Sequence, residues 1–465
     1  MHVLQRTADP KRGPLADASA PHGTLGDPFQ SASELCAVCH EVSNPFLTEG
    51  QDRVMLSPHE YAPMERTYSE WLMSEFPSRG DSGTCQSCHM KEVPGYICVY
   101  TTSPLRQDVP RHDLTGGNTF VPTILPEFWD GLDTTALADG VERARATLGR
   151  AATLALEAAR SGDSVSARVR VTNETGHKLP TGYPDGRRIW IEITATSTSG
   201  DTVFRSGAYD ADSARLVEDP QLTVYEAVFA LRPAAAGLYG LAPGPSFHFA
   251  LNDTLVKDNR IPPRGFTNAG FASRLAAPVG ASYADGQYWD EVVYRLPGEA
   301  VNVTARLRYQ TISREYIEFL ESENEGNFFD WNDWGRRLRQ AWEQKGRSFP
   351  EVMAQATAIV PDSTDGVGNA DPTLPDAFVL KQNYPNPFNP ATRLVFVIPA
   401  NAPALLTTLR IVDVAGREIA NFAPERLGPG RFERVWDAGR TPSGVYFAVL
   451  TRGASTRTVK MLLLR

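Results

Sequence analysis

The sequence predicts a multidomain chain: a loop-rich N-terminal region with short helices, a central antiparallel β-sandwich with flanking helices, and a small C-terminal all-β sandwich. Three observations carry that expectation. Residues 1–130 are dense in Pro, Gly, Ser and Thr, show little periodicity, and contain one five-residue pattern twice. Residues 161–355 hold short runs in which apolar and polar side chains alternate between Gly, Pro and Asp turns. After a linker at 356–379 the alternation resumes and continues through 380–465.

The repeated pattern is Cys36-Ala37-Val38-Cys39-His40 and Cys85-Gln86-Ser87-Cys88-His89, which takes four of the five cysteines. A C-x-x-C-H pentad is the attachment signature of c-type haem. Two thiols on one turn add to the two vinyl groups of a porphyrin, and the adjoining imidazole reaches the iron as proximal ligand. Two zinc knuckles would use the same cysteines, but would not need His directly after each second Cys. The expectation is therefore two covalent haem c groups, bound through Cys36, Cys39, Cys85 and Cys88, with His40 and His89 on the irons. Haem also accounts for the composition, because each buried porphyrin supplies apolar surface that a loop-rich segment lacks. The N-terminal region is thus expected to be haem-packed. Short helices are expected over Tyr68–Phe76 and just before each pentad.

From residue 131 to 160 the pattern changes. Leu137, Val141, Ala144, Leu148, Ala151 and Ala155 fall at helical spacing, which predicts one connecting helix, broken near Gly149. Val165, Ala167, Val169 and Val171 then alternate with polar residues, as do Ile189, Ile191 and Ile193, giving the first strands of the sandwich. A helical stretch is expected from Ser313 to Met353, with Trp331, Trp334, Leu338 and Trp342 docking on the sandwich. In the last unit Leu394, Phe396 and Ile398 alternate, and Leu409, Ile411 and Val414 do so less strictly. Gly444–Phe447 and Val459–Leu462 read as closing strands.

Composition excludes little. The net charge of −9 leaves no basic footprint for nucleic acid. No apolar run is long enough for a transmembrane segment. Met1–Ala20 is polar and has no apolar h-region, so no secretory signal is visible. Haem is ordinarily joined to such pentads outside the cytoplasm, so an export signal, and with it more haem-bearing sequence, is expected upstream of Met1.

Two resemblances extend this reading. Gly13-Pro14-Leu15, Ser33-x-Leu35 before the first pentad, Thr67-Tyr68-Ser69-Glu70-Trp71, Thr84 and Met90 about the second, and His112-Asp113-Leu114-x-Gly116-Gly117-Asn118 resemble multihaem c-type cytochromes of the cytochrome c554-like group. Thr172-Asn173, Gly176-His177-Lys178-Leu179-Pro180-Thr181-Gly182 and Lys257-Asp258-Asn259-Arg260-Ile261-Pro262-Pro263 continue the likeness. It implies an exported redox protein with bis-histidine haems and a β-rich domain behind them. Asn383-Tyr384-Pro385-Asn386-Pro387-Phe388-Asn389-Pro390-Ala391-Thr392, Asp413–Arg417, Trp436-Asp437 and Ser443–Tyr446 resemble type IX (Por) secretion sorting domains. That likeness implies the secretion and sorting machinery as a partner, and a cell-surface or extracellular destination. An adhesive β-sandwich is the plain alternative for this unit.

Each iron needs a sixth ligand or an open face. His112, on a turn-rich segment before Gly116-Gly117, is the first candidate. His177, between Gly176 and the Lys178-Leu179-Pro180 turn, is the second, and His22 the third. His59 reads as solvated, His248 as a strand histidine within the sandwich, and Cys98 as a buried free thiol. Asp210-Ala211-Asp212, or Asn252-Asp253 with Asp258-Asn259, offers calcium hard oxygen ligands, but without a regular ligand loop solvated turns explain them better. With two imidazoles on an iron no site is left for substrate, and an electron carrier with redox partner proteins, other cytochromes among them, is the expected function. The rivals are an oxidoreductase acting on a small nitrogen or sulfur compound at a five-coordinate haem, and a surface-binding module whose haems are structural.

Overall fold

The computed structural model describes residues 10–17, 23–44, 62–97, 104–324, 333–360 and most of 378–463. The chain divides into two compact units, residues 1–363 and 364–465. His2, His22, His59 and Cys98 lie outside the described residues.

The N-terminal part of the first unit is built from very short elements. In order they are α1 (Glu34–Ala37), β1 (Val42–Asn44), β2 (Ala62–Glu65), α2 (Thr67–Leu72), α3 (Cys85–His89), β3 (Glu92–Tyr96) and β4 (Leu105–Pro110). β1 pairs with β2 and β3 with β4, both antiparallel. A 3-10 stretch, Phe76–Gly83, links α2 to α3. α2 thus stops at Leu72, earlier than the helix expected through Phe76, and the second pentad is itself a helical turn. Apolar packing is thin here: Met64, Phe76, Phe120 and Ile124 are buried, while Leu35, Val38, Tyr96, Ile97, Leu105 and Leu114 are exposed.

α4 (Thr134–Ala151) begins at Asp133, whose Oδ1 accepts from Thr135 N and Ala136 N at 3.0 Å each. Val141, Ala144, Leu148 and Ala151 face inward, as their spacing predicts. The helix runs through Gly149, but does not reach Arg160. At Ala152 the chain turns into β5 (Ala152–Ser161), which pairs residue for residue with β6 (Ser164–Asn173). Ala and Leu suit either geometry, and the ladder to β6 decides it; Ala155 belongs to the strand.

The remaining strands of the sandwich are β7 (Arg188–Thr196), β8 (Thr202–Ser206), β9 (Ala227–Leu231), β10 (Thr254–Asp258), β11 (Trp289–Pro297), β12 (Asn302–Gln310) and β13 (Glu351–Ile359). One sheet has the order β11-β6-β5, the other β8-β7-β12-β13 with the two-residue strand Val224–Tyr225 also paired to β7, and β9 pairs with β10 in a smaller sheet. Val165, Ala167, Val169 and Val171 from the first sheet meet Ile189, Ile191 and Ile193 from the second in one core. All seven are buried, and each of the larger ones contributes about 1.5–3 kcal/mol by leaving water.

Between β12 and β13 lie α5 (Arg314–Ser322) and α6 (Trp334–Gln344). Ile317, Ala341 and Trp342 from them pack with Phe120 and Ile124. The helical stretch expected to run to Met353 ends at Gln344, and Met353 is a buried residue of β13. Arg347 and Ser348 take positive φ (56° and 50°) before Pro350, which breaks the helix and starts the strand.

The second unit contains β14 (Val379–Leu380), β15 (Ala391–Ile398), β16 (Leu405–Asp413), β17 (Glu418–Leu427), β18 (Gly430–Asp437), β19 (Gly444–Arg452) and β20 (Ser455–Leu463). Sheets of order β14-β15-β18 and β17-β16-β19-β20 enclose a core that includes Leu394, Phe396, Ile398, Leu409 and Ile411. Val414 leaves the pattern: it lies past the end of β16 and is 74% exposed. Of the Asn383–Thr392 segment, Asn383 donates to Thr392 Oγ1 at 2.9 Å and Phe388 packs on Trp436, while Tyr384, Pro385, Pro387 and Asn389 lie outside the described residues.

Candidate functional site

α3 forms because Thr84 caps it, Oγ1 accepting from Ser87 N at 3.2 Å. The turn puts Cys85, Cys88 and His89 on one short element. The residues just before the first pentad bind the second: Ser33 Oγ accepts from Cys85 N at 3.1 Å, and Gln86 Nε2 donates to Ala32 O at 2.8 Å. The Cys36 and Cys85 thiols meet as hydrogen-bond partners. That contact raises Cys36 and lowers Cys85 to about 7, while burial opposes the change at Cys85. Cys39 and Cys88 are exposed. The apolar side chains left facing outward beside these thiols, Leu35 and Val38 above all, are of the kind that a porphyrin would cover.

The three best-placed imidazoles are each tied down at Nδ1. His89 Nδ1 lies 2.6 Å from Thr115 O, and Thr115 N returns a bond to His89 O at 3.1 Å. His177 Nδ1 lies 3.0 Å from Lys178 O. A carbonyl can only accept, so in both rings Nδ1 carries a proton, which leaves Nε2 as the nitrogen able to ligate. His40 Nδ1 meets Glu65 Oε1 at 2.7 Å, and this carboxylate holds the imidazole above its usual value. An Nδ1 anchored on a carbonyl or carboxylate with Nε2 free is the arrangement of metal-binding histidines.

His89 and His177 face each other with ring centres 6.3 Å apart and planes 27° apart. Two imidazole nitrogens on one metal at about 2 Å each would set the ring centres roughly 6 Å apart. Burial pushes His177 down to about 4, with the neighbouring His89 adding to the effect, so its imidazole is neutral at pH 7 and able to donate to a metal. Gly176 lets this loop in: a Cβ there would come within 3.0 Å of the Phe76 ring and 3.1 Å of the Trp71 ring.

Behind His177 lies a buried polar network. Glu70 Oε2 accepts from Lys178 N at 3.1 Å and from Thr181 Oγ1 at 2.7 Å. Lys178 Nζ meets Asp258 Oδ2 at 2.6 Å, and Arg260 reaches Asp258 through Nε (2.8 Å) and Nη2 (2.7 Å) and Glu70 Oε1 through Nη2 (3.1 Å). Asn173 Nδ2 donates to His177 O at 2.7 Å and to Ile261 O at 2.9 Å. The segments Asn173–Gly182 and Lys257–Pro263 therefore converge on the loop that carries His177. The same loop supports His40, since Thr67 Oγ1 touches Glu65 Oε1 (3.2 Å) and Thr181 Oγ1 (2.9 Å) and accepts from Gly182 N (3.1 Å).

The other candidates sit elsewhere. His112 is exposed on the loop after β4, and it is His177 whose ring meets His89. His248 is on no strand: it follows Gly244-Pro245, with Nδ1 2.8 Å from Ser246 Oγ and Nε2 3.3 Å from the Glu323 carboxylate. Asp210 closes a turn on Asp212 N and Ser213. Among the described residues no group of three or more His, Cys, Asp or Glu could hold a bare metal ion, and no helix is long and apolar enough to cross a membrane. Sequence reasoning missed Glu65 and Thr115 as supports and read Asn252, Asp253 and Asp258 as solvated turns. All three are in fact buried, and Asp258 is paired with Lys178 and Arg260; each acts across the fold, where no spacing rule marks it.

No protein-family model matches the chain. No curated protein matches it either. Among solved structures there is a distant, low-identity match to a multihaem c-type cytochrome, the penta-haem cytochrome c552 from Thermochromatium tepidum. It has 16% identity and a TM-score of 0.41 over 73% of this chain and 58% of that one, so the chain spans less than two thirds of that cytochrome's length. Dimeric latent PorU from Porphyromonas gingivalis matches at 10% identity and a TM-score of 0.16, over 68% of this chain and 34% of that one. Likenesses of this size carry no argument about function, which rests on the side chains.

Proposed function

We propose that this chain is an exported multihaem c-type cytochrome that carries electrons. Haem c would be joined to Cys36 and Cys39 with His40 as proximal ligand, and to Cys85 and Cys88 with His89. His177 would complete the coordination of the second iron, leaving His112 and His22 as candidates opposite His40. The observation that carries this reading is the facing pair His89–His177, each ring fixed at Nδ1 and separated by 6.3 Å. Bound haem supplies an iron that alternates between two oxidation states.

The chain's own part is to hold ligands. Thr115 O and Lys178 O fix the tautomers, Gly176 admits the loop, and the Glu70–Lys178–Asp258–Arg260 network holds the loop in place. Two imidazoles leave no coordination position for a substrate, and they lack the potential-raising effect of an axial methionine. Redox partner proteins, other cytochromes among them, are the natural donors and acceptors. The C-terminal unit, by its likeness to sorting domains, would engage secretion machinery and bring the protein to the cell surface or the medium.

The test is the protein made in a host that matures c-type cytochromes. Mass spectrometry should find haem on both pentads, and the spectrum should be low-spin at the His89 haem. His177→Ala should keep both haems attached while one iron becomes high-spin. A colourless wild type, or a His177→Ala spectrum identical to wild type, rejects the assignment.

A further inference from the structure

Arg187 stands out among the cations near the pentads. Its Nη1 donates to Thr181 O at 2.8 Å. Its Nε is buried and has no hydrogen-bond partner, and among the described residues no carboxylate pairs with it. Leaving such a donor unmet is costly, the more so for a charged group. The guanidinium runs close beside Gly182, which is at φ +82°: a Cβ there would lie 2.8 Å from Arg187 Nη1. Arg187 is also close to the first pentad. Thr181, which anchors it, touches Thr67, and Thr67 shares Glu65 Oε1 with His40. The Arg187 charge is near enough to act on the His40 ring.

We propose that the free Nε–Nη2 edge of Arg187 binds a carboxylate of the haem carried by His40, making Arg187 the propionate anchor of that cofactor. This rests on the cytochrome reading above. The Nε–Nη2 edge of a guanidinium matches a carboxylate with two parallel hydrogen bonds, which an ammonium cannot reproduce. Within the first unit Arg187 begins the approach to β7, so the anchor ties that haem to the sandwich rather than to its own pentad. A small free oxyanion such as nitrite or sulfite offers the same chemistry, and the experiment separates the two.

Wild type, R187Q and R187K are matured with haem, and haem content is measured first by mass. A wild type without haem would refute the cytochrome reading rather than the anchor alone. With both haems present, spectroelectrochemical titration should show one midpoint potential falling in R187Q, because a cation that favours the reduced iron has gone. A tenfold loss of relative electron affinity, ~59 mV for a one-electron couple, is the expected scale. The other potential should hold, R187K should recover part of the change, and millimolar nitrite or sulfite should leave the wild-type spectrum unaltered. Unchanged potentials in R187Q overturn the proposal. A nitrite- or sulfite-induced spectral shift that R187Q abolishes also overturns it, by giving the edge to a free oxyanion. Should R187Q not fold, resonance Raman bands of the propionates in wild type and R187K decide: they differ if Arg187 holds the carboxylate and coincide if it does not.

Discussion

Replacing Asp258 by Asn puts the network behind His177 to the test. Lys178 Nζ and Asp258 are 0% and 1% exposed, and the carboxylate also takes two bonds from Arg260. Burial raises Asp258, but Arg260 and Lys178 more than offset it and hold the carboxyl below its usual value. Asn keeps the shape and removes the charge, which strands the Lys178 ammonium with no anion in contact. Breaking one partner of a buried pair costs about 3–5 kcal/mol, whereas an exposed pair is worth about 0–1. Asp258→Asn should therefore lose about 3–5 kcal/mol in urea unfolding, followed by far-UV circular dichroism and converted with the parent slope. The double variant Lys178→Met/Asp258→Leu, which leaves Arg260 with Glu70, should regain most of the loss. A single-variant effect below about 1 kcal/mol would show that water or a rearranged Arg260 screens this pair, and that the network does not hold the His177 loop.

Three further outcomes are expected. In the haem-free chain, Glu65 raises His40, so the stabilising contribution is fully present below His40's unfolded value, about 6.5, and is lost as pH rises through the folded value. Glu65→Gln should remove that pH dependence from the urea midpoint. Burial raises Asp185 to about 7, so its folded form holds a proton that the unfolded chain releases near pH 4. Stability should fall between about pH 4 and 7, and Asp185→Asn should be a few kcal/mol more stable than its parent at pH 8 but not at pH 4. Thr84→Ala removes the cap of α3 and should cost about 1 kcal/mol by thermal melting, a loss that Thr84→Ser restores.

The sandwich strands and the C-terminal alternation were legible because each depends on local spacing. Val165–Val171 and Leu394–Ile398 face inward with the period-two pattern that their sequence displays. The junction at Ala152 was not legible, since an Ala/Leu-rich run suits a helix or a strand and only its pairing with β6 settles the matter. The run toward Met353 failed for a related reason: α6 stops where positive φ at Arg347 and Ser348 redirects the chain, and neither residue announces that conformation. At the site, the His177 loop could be read from its flanking glycine and proline. Its facing of His89 could not, because residues 88 positions apart meet only once the fold is closed. His112 was the first candidate because of the Gly116-Gly117 turn that follows it; the residue of that segment that engages His89 is Thr115.

The loop from Gly176 to Gly182 meets the ring of His89 through His177 and the support of His40 through Thr181 and Gly182. A protein shortened to its first 130 residues would keep all four pentad cysteines and lose both contacts. What looks like a detachable N-terminal module followed by a β-domain is thus a single inheritable piece. A cut between the second pentad and the loop would part His89 from His177 and Thr67 from Thr181, so domain shuffling can act on this piece only outside that span.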